Sequence, residues 1–190
     1  SKLIMRSILI VGGTKGIGKA IVEELIDNNN VICMSRNITD FTHDNYTHFQ
    51  IDSTKDDFPN IENIDTLVYC PGSINLKPIS TLSIENFRDD FELNVIGAVK
   101  AIKKYLPVLK KGENPSILLF STVATKLGMP YHASVSASKS AIDGIVKTLG
   151  AELAPKIRVN AIAPTITNTD LASKILRNEK VVENMIERHP

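Results

Sequence analysis

The chain has no tryptophan, and aromatic residues make up only 5% of it, so its core must be built mostly from aliphatic side chains. Cysteine occurs twice, as Cys33 and Cys70, each inside an apolar run that reads as a strand. Two such thiols exclude a disulfide-stapled scaffold and suit a reducing compartment. Neither sign of charge is in excess. The net charge of +1, with its basic residues dispersed, leaves no electrostatic footprint for nucleic acid or an acidic membrane surface. No apolar run has the length of a membrane span, and the opening residues Ser1 to Arg6 lack the apolar core of a signal peptide. A cytoplasmic location is therefore the expectation, with neither nucleic acid nor membrane as a partner, and no metal site is expected.

What is present describes one soluble domain over residues 1–190, with 43% hydrophobic and 23% charged residues. Short apolar runs alternate with longer amphipathic ones. Strands are expected at 7–11, 31–35, 47–51, 66–70, 116–121 and 157–163. Helical spacing covers 16–27, 84–109, 134–154 and 170–187. In the second of these helices Phe87, Phe91, Val95 and Ala98 mark the apolar face. The stretch 37–46 is too short and polar for a crossover helix and reads as a loop. Strands alternating with helices call for a parallel sheet covered on both faces, because parallel neighbours need crossover connections. The fold class is α/β, a doubly wound sheet of the Rossmann type, shortened at its C-terminal end.

The first strand runs into Val11-Gly12-Gly13-Thr14-Lys15-Gly16-Ile17-Gly18, and a helix follows. Glycines there let the backbone turn tightly and approach a pyrophosphate, and the helix N-terminus offers free N–H donors and a positive dipole end. Gly12, Thr14, Lys15, Gly16, Ile17 and Gly18 are thus candidates for holding a dinucleotide. The end of the second strand selects between cofactors, since a carboxylate there binds the ribose hydroxyls while a basic group accommodates a 2′-phosphate. This chain has Ser35 and Arg36 and no carboxylate. Either Arg36 or Lys15 alone reads as a solvated surface charge; together beside a ribose pocket they favour NADP over NAD.

The spacing of Gly12, Gly16 and Gly18 resembles the Thr-Gly-x-x-x-Gly-Ile-Gly turn of the short-chain dehydrogenase/reductase family, with Val11 in place of the threonine. Several further motifs follow in that family's order. Val135-Ser136-Ala137-Ser138-Lys139 resembles its Tyr-x-x-x-Lys element, but Val135 stands where the tyrosine belongs. Arg158-Val159-Asn160-Ala161-Ile162-Ala163-Pro164 resembles its Arg-Val-Asn-x-Ile-x-Pro-Gly segment, with Thr165 at the glycine. Tyr69-Cys70-Pro71-Gly72 retains only the glycine of the usual Asn-Asn-Ala-Gly.

The resemblance implies roles for individual residues. Asn94 would bend the long helix and support a proton relay, Thr122 would polarise a carbonyl, and Lys139 would hold the nicotinamide ribose. Asp52 would contact adenine, with a plain turn residue as the competing reading; Gly72, Pro164 and Thr169 would line the cofactor. It also implies a homodimer or homotetramer joined through the helices at 84–109 and 134–154, and a further helix and seventh strand beyond residue 190. Without them the sixth strand is a sheet edge open to association.

Two functions are compatible with these residues. One is an NADP(H)-dependent oxidoreductase acting on an unidentified small carbonyl or alcohol, with catalysis weakened by Val135. The other is a non-catalytic cofactor-binding protein, such as a redox sensor or structural subunit. Tyr131 and His132, just upstream of position 135, read as loop residues at the substrate mouth, with a stand-in for the missing tyrosine as the alternative.

Overall fold

In the computed structural model, which describes residues 5–173 together with Glu183, six parallel strands form one sheet in the order β3-β2-β1-β4-β5-β6. The strands are β1 (Arg6–Val11), β2 (Asn29–Ser35), β3 (Tyr46–Gln50), β4 (Thr66–Tyr69), β5 (Ser116–Phe120) and β6 (Arg158–Ile162). Helices α1 (Gly16–Leu25), α2 (Ile84–Phe91), α3 (Gly97–Leu109) and α4 (Ala133–Leu153) provide the crossovers. The chain moves outward from β1 through β2 to β3, then returns to the other side of β1 with β4. That reversal leaves a crevice at the carboxyl ends of β1 and β4, where ligands of open α/β sheets bind.

The central strands β1, β4 and β5 are mostly apolar because both sheet faces are covered there, whereas the edge strands β3 and β6 carry polar residues and none that is fully buried. Alternate residues of one strand serve opposite faces. Leu9 and Val11 of β1, with Leu67 and Tyr69 of β4, pack against Val95, Ala98, Ile102 and Tyr105 below α2–α3 and against Ile142 of α4. Ile8, Ile10 and Val68 point the other way, toward Val22 and Ile26 of α1 and its end. The expected connection between β2 and β3 is a loop, as its polarity requires. Of the helix expected at 170–187, residues 170–172 form a turn and Ser173 and Glu183 are helical; the rest of it, and the C-terminal shortening, lie outside the described residues.

The helical pattern over 84–109 is interrupted. Residues Glu92–Ile96 form a π-helical turn between α2 and α3, closed by the Gly97 N–H donating to the Glu92 carbonyl. The wider turn leaves the Leu93 carbonyl available, and the Tyr69 hydroxyl donates to it at 2.8 Å. The Tyr69 hydroxyl also meets Ser53 Oγ at 3.1 Å. A Cβ on Gly97 would lie 2.1 Å from the same phenol oxygen, so the two positions fit only as a pair. Tyr69 thereby braces the sheet to the helix layer from the position where the resembled motif has asparagine.

Candidate active site

The glycine turn is shaped by contacts that a side chain would destroy. Gly12 has φ of +81°, a left-handed conformation that favours glycine. A Cβ on Gly18 would lie 2.2 Å from the Gly12 carbonyl oxygen, so the first turn of α1 is pressed against the loop. Lys15 caps α1 without a side-chain hydrogen bond, and the first turn holds no acidic residue. The N–H donors of that turn are left for an anion. Gly16 faces Thr169, whose methyl group would lie 3.3 Å from an added Cβ.

Two cavities open from this point. The first, about 430 Å³, runs from Gly12, Thr14, Lys15 and Gly18 across to Ser35 and Arg36 at the end of β2. The second, about 470 Å³, is lined by Thr122, His132, Val135, Lys139 and Pro164, with apolar walls from residues such as Leu76 and Met129. They share Ile17, Cys70, Gly72, Thr169 and Leu171, and so form one cleft with a polar arm and an apolar arm.

Where the arms meet, buried polar groups are aimed at each other's space. The Lys139 ammonium donates to the Phe120 carbonyl at 2.8 Å. Burial pulls its pKa down to about 8, the nearby Cys70 thiol opposing only in part. Cys70 shifts the other way, pushed up to about 12 by burial against the pull of Lys139, and is a neutral thiol. Asn94, within the π turn and 1% exposed, donates its amide to the Asp90 carbonyl at 2.7 Å and to Ser73 Oγ at 3.0 Å. Ser73 in turn donates to the Asp90 carboxylate, which also accepts from Asn75 at 2.7 Å and from Ser134. These bonds commit the amide nitrogen and leave Asn94 Oδ1 without a partner among the described residues. That oxygen and Lys139 Nζ lie 3.5 and 3.7 Å from where a Cβ of Gly72 would stand. A buried acceptor left open beside a buried ammonium fits a polar ligand or water, since an unmet buried group costs about 1–3 kcal/mol.

Thr122 lies two residues beyond β5 on the apolar arm, its hydroxyl accepting from the Ala124 N–H at 3.3 Å and donating to the Pro164 carbonyl at 3.5 Å. Its neighbour Ser121 is 3% exposed and lines the same arm. Ser121 Oγ has no hydrogen-bond partner among the described residues. Sequence reasoning took only the second residue of this pair as functional; both residues line the cavity. The Asp90 network was missed as well, although Asp90 precedes Asn94 by four residues, one helical turn, on a buried face.

The cleft lining takes in most of the candidates from the sequence, but neither Asp52 nor Asn94, whose Oδ1 lies behind Gly72. The Asp52 carboxylate accepts from the Thr54 N–H at 3.0 Å and from the Thr54 hydroxyl at 2.7 Å. The flanking Ile51 and Ser53 line the polar arm, whereas Asp52 does not. Its Oδ1 is thus engaged in its own turn. Ser35 lines the arm while its hydroxyl donates to the Asn37 carbonyl and meets His48 Nε2, both at 2.9 Å. Cys70 falls one residue beyond β4 rather than inside it. Both thiols are free. Among the described residues no cluster of His, Cys, Asp and Glu is arranged to hold a metal ion, and no helix is long and apolar enough to cross a membrane.

A doubly wound sheet, a glycine turn at its switch point and a two-armed cleft define the nucleotide-binding α/β class. Within that class, the family model for short chain dehydrogenase matches residues 6–180. A tropinone reductase homolog from Datura stramonium is 30% identical over 206 residues, covering 96% of this chain and 77% of the relative. Among solved structures, a short chain dehydrogenase family protein from Francisella tularensis superposes with a TM-score of 0.83 at 29% identity, over 96% of this chain and 77% of that one. ElxO with NADP bound gives a TM-score of 0.80 at 25% identity, over 93% and 80% of the respective chains. The chain belongs to the short-chain dehydrogenase family.

Proposed function

We propose that the chain is an NADP(H)-dependent oxidoreductase that interconverts a small carbonyl compound and its alcohol. The observation that carries this reading is the junction at Gly72, which both arms share, with Lys139 on the apolar arm and the open Asn94 oxygen each within 4 Å of the Gly72 Cβ position. The polar arm has the features a dinucleotide needs: an unobstructed helix N-terminus, a Cβ-free turn at Gly12, Gly16 and Gly18, and cations where a 2′-phosphate would lie. The ElxO structure, solved with NADP, supports the same choice. When bound, the nicotinamide supplies or removes hydride. The residues of the chain do the rest. Lys139 holds the ribose end, Thr122 offers its hydroxyl to the carbonyl oxygen, and Asn94 Oδ1 orders a water beside Lys139. Pro164 and Thr169 close the cofactor side.

Arg36 and Lys15 are exposed side chains on the polar arm. Removing one cation should therefore cost part of the phosphate interaction without disturbing the fold. In the Arg36→Ser variant the preference for NADPH over NADH, read by fluorescence titration, should fall by about tenfold to hundredfold, as expected for one charge-assisted contact worth about 1.5–3 kcal/mol. Equal affinities for the two cofactors in the unaltered chain would contradict the assignment.

The α2–α4 surface carries exposed Ile84 and Phe91, grouped with Phe87 and Ala137. We propose that this face pairs with a second copy, giving a homodimer or homotetramer. Light scattering should give two or four times the chain mass; a strictly monomeric species would contradict the pairing.

Val135 supports a second reading, a cofactor-binding protein without turnover. It is buried on the apolar arm and has no ionisable group to give. NADPH oxidation followed against a panel of ketones and aldehydes separates the readings. Binding with turnover supports the oxidoreductase, and binding without it supports the sensor or structural subunit.

A further inference from the structure

We propose that His132 takes the place of the missing tyrosine, giving a proton through Nε2 to the carbonyl oxygen during reduction and recovering it during oxidation. The inference rests on the oxidoreductase reading above. His132 is the N-cap of α4, three residues before Val135. Residues so spaced share a helix face, and both side chains line the apolar arm together with Thr122 and Lys139. The Ser136 N–H donates to the His132 carbonyl at 2.8 Å, which fixes the backbone of His132 at the start of the helix.

The ring itself is oriented. His132 Nδ1 lies 2.7 Å from the Pro130 carbonyl oxygen. A carbonyl can only accept, so Nδ1 carries a hydrogen whether the ring is neutral or charged. Nε2 is then the nitrogen that gains and loses the proton. A base oriented by a third group through its other nitrogen is the arrangement that general acid–base catalysis uses. Tyr131, the other candidate, fails on geometry: it is 59% exposed, and it does not line the cavity. Its backbone takes φ of +67°.

Among the described residues, the other titratable groups on this arm are Lys139 and Cys70. Lys139 is bonded to the Phe120 carbonyl at the cofactor junction, and the Cys70 thiol is too weak an acid to serve. From the neighbouring loop, Lys77 approaches through its backbone N–H, donating to the Tyr131 carbonyl at 3.2 Å. In the step proposed, the carbonyl carbon receives hydride from the reduced dinucleotide. The Nε2–H bond of the imidazolium breaks as the O–H bond of the alcohol forms. Neutral imidazole remains and is reprotonated from water.

The test combines a rate with two readouts that do not depend on turnover. In ¹⁵N spectra at high pH, His132 should show the Nδ1–H tautomer; an Nε2–H tautomer would overturn the proposal whatever the rates. His132→Asn keeps a donor for the Pro130 carbonyl but no titrating nitrogen, and His132→Gln serves as a second variant should the first fold poorly. Both should bind NADPH with unchanged affinity and reduce a carbonyl about 10²-fold more slowly. The reduction rate of the unaltered chain should fall as pH rises, and the part of that fall owed to His132 should vanish in both variants, leaving only the limb from Lys139. Unchanged rates and an unchanged pH profile would overturn this proposal alone. NADPH binding by the unaltered chain with no reduction of any carbonyl would overturn the oxidoreductase reading together with it.

Discussion

Val135→Tyr should raise carbonyl reduction by about 10²-fold or more, the lower part of the range that a positioned general acid contributes. Val135 is 7% exposed and lines a cavity of about 470 Å³, so the added ring extends into open space rather than into the packed core. The phenol would enter the arm that already holds Thr122 and Lys139, whose ammonium favours ionisation of a nearby hydroxyl. If His132 already supplies a proton, the gain falls short of the full range of about 10⁴, and the pH profile moves from the histidine to the new tyrosine. Steady-state NADPH oxidation across pH, for both proteins, measures this. No gain on any substrate would show that position 135 does not face the reacting carbonyl.

Gly18→Ala should act in the opposite direction and on a different step. In an ordinary helix interior alanine is favoured over glycine by about 1 kcal/mol. At position 18 the new methyl group would meet the Gly12 carbonyl oxygen at 2.2 Å and the Gly12 carbonyl carbon at 3.0 Å. Backbone cannot swing aside as a flexible side chain can, so α1 must move off the loop. Forced repacking of this kind costs about 1–3 kcal/mol, and the same shift takes the helix N-terminus away from its anion. NADPH affinity should drop roughly tenfold to hundredfold. Gly144→Ala is the matched control. It lies in α4, where an added Cβ meets nothing within 4 Å, so it should stabilise the chain slightly and leave cofactor affinity unchanged. Titration and thermal melts of both variants distinguish a local clash from a general intolerance of substitution.

The sheet was legible because buried parallel strands are written as short apolar runs, and β1 shows this in Ile8-Leu9-Ile10-Val11. The glycine turn was legible from its place between the first strand and the first helix, and Lys139 from the resemblance of residues 135–139 to the family's Tyr-x-x-x-Lys element. What escaped was tertiary in origin. The π turn at Glu92–Ile96 leaves helical periodicity nearly intact, and its cause lies partly across the fold, in the hydroxyl of Tyr69 and the missing side chain of Gly97. The Asp90 network joins Ser73, Asn75, Asn94 and Ser134 from three separate segments, and no local pattern announces such a meeting. Asp52 was read with two roles, and the structure shows the turn role directly, with Oδ1 accepting both bonds from Thr54.

The central claim is that this fold separates holding the cofactor from supplying the proton, and that position 135 affects only the second. Calorimetric titration of NADPH into the unaltered chain and into Val135→Tyr tests it directly. One saturable site per chain with the same affinity in both proteins is the predicted result. Absence of binding in the unaltered chain, or an affinity that changes when residue 135 is changed, would contradict it.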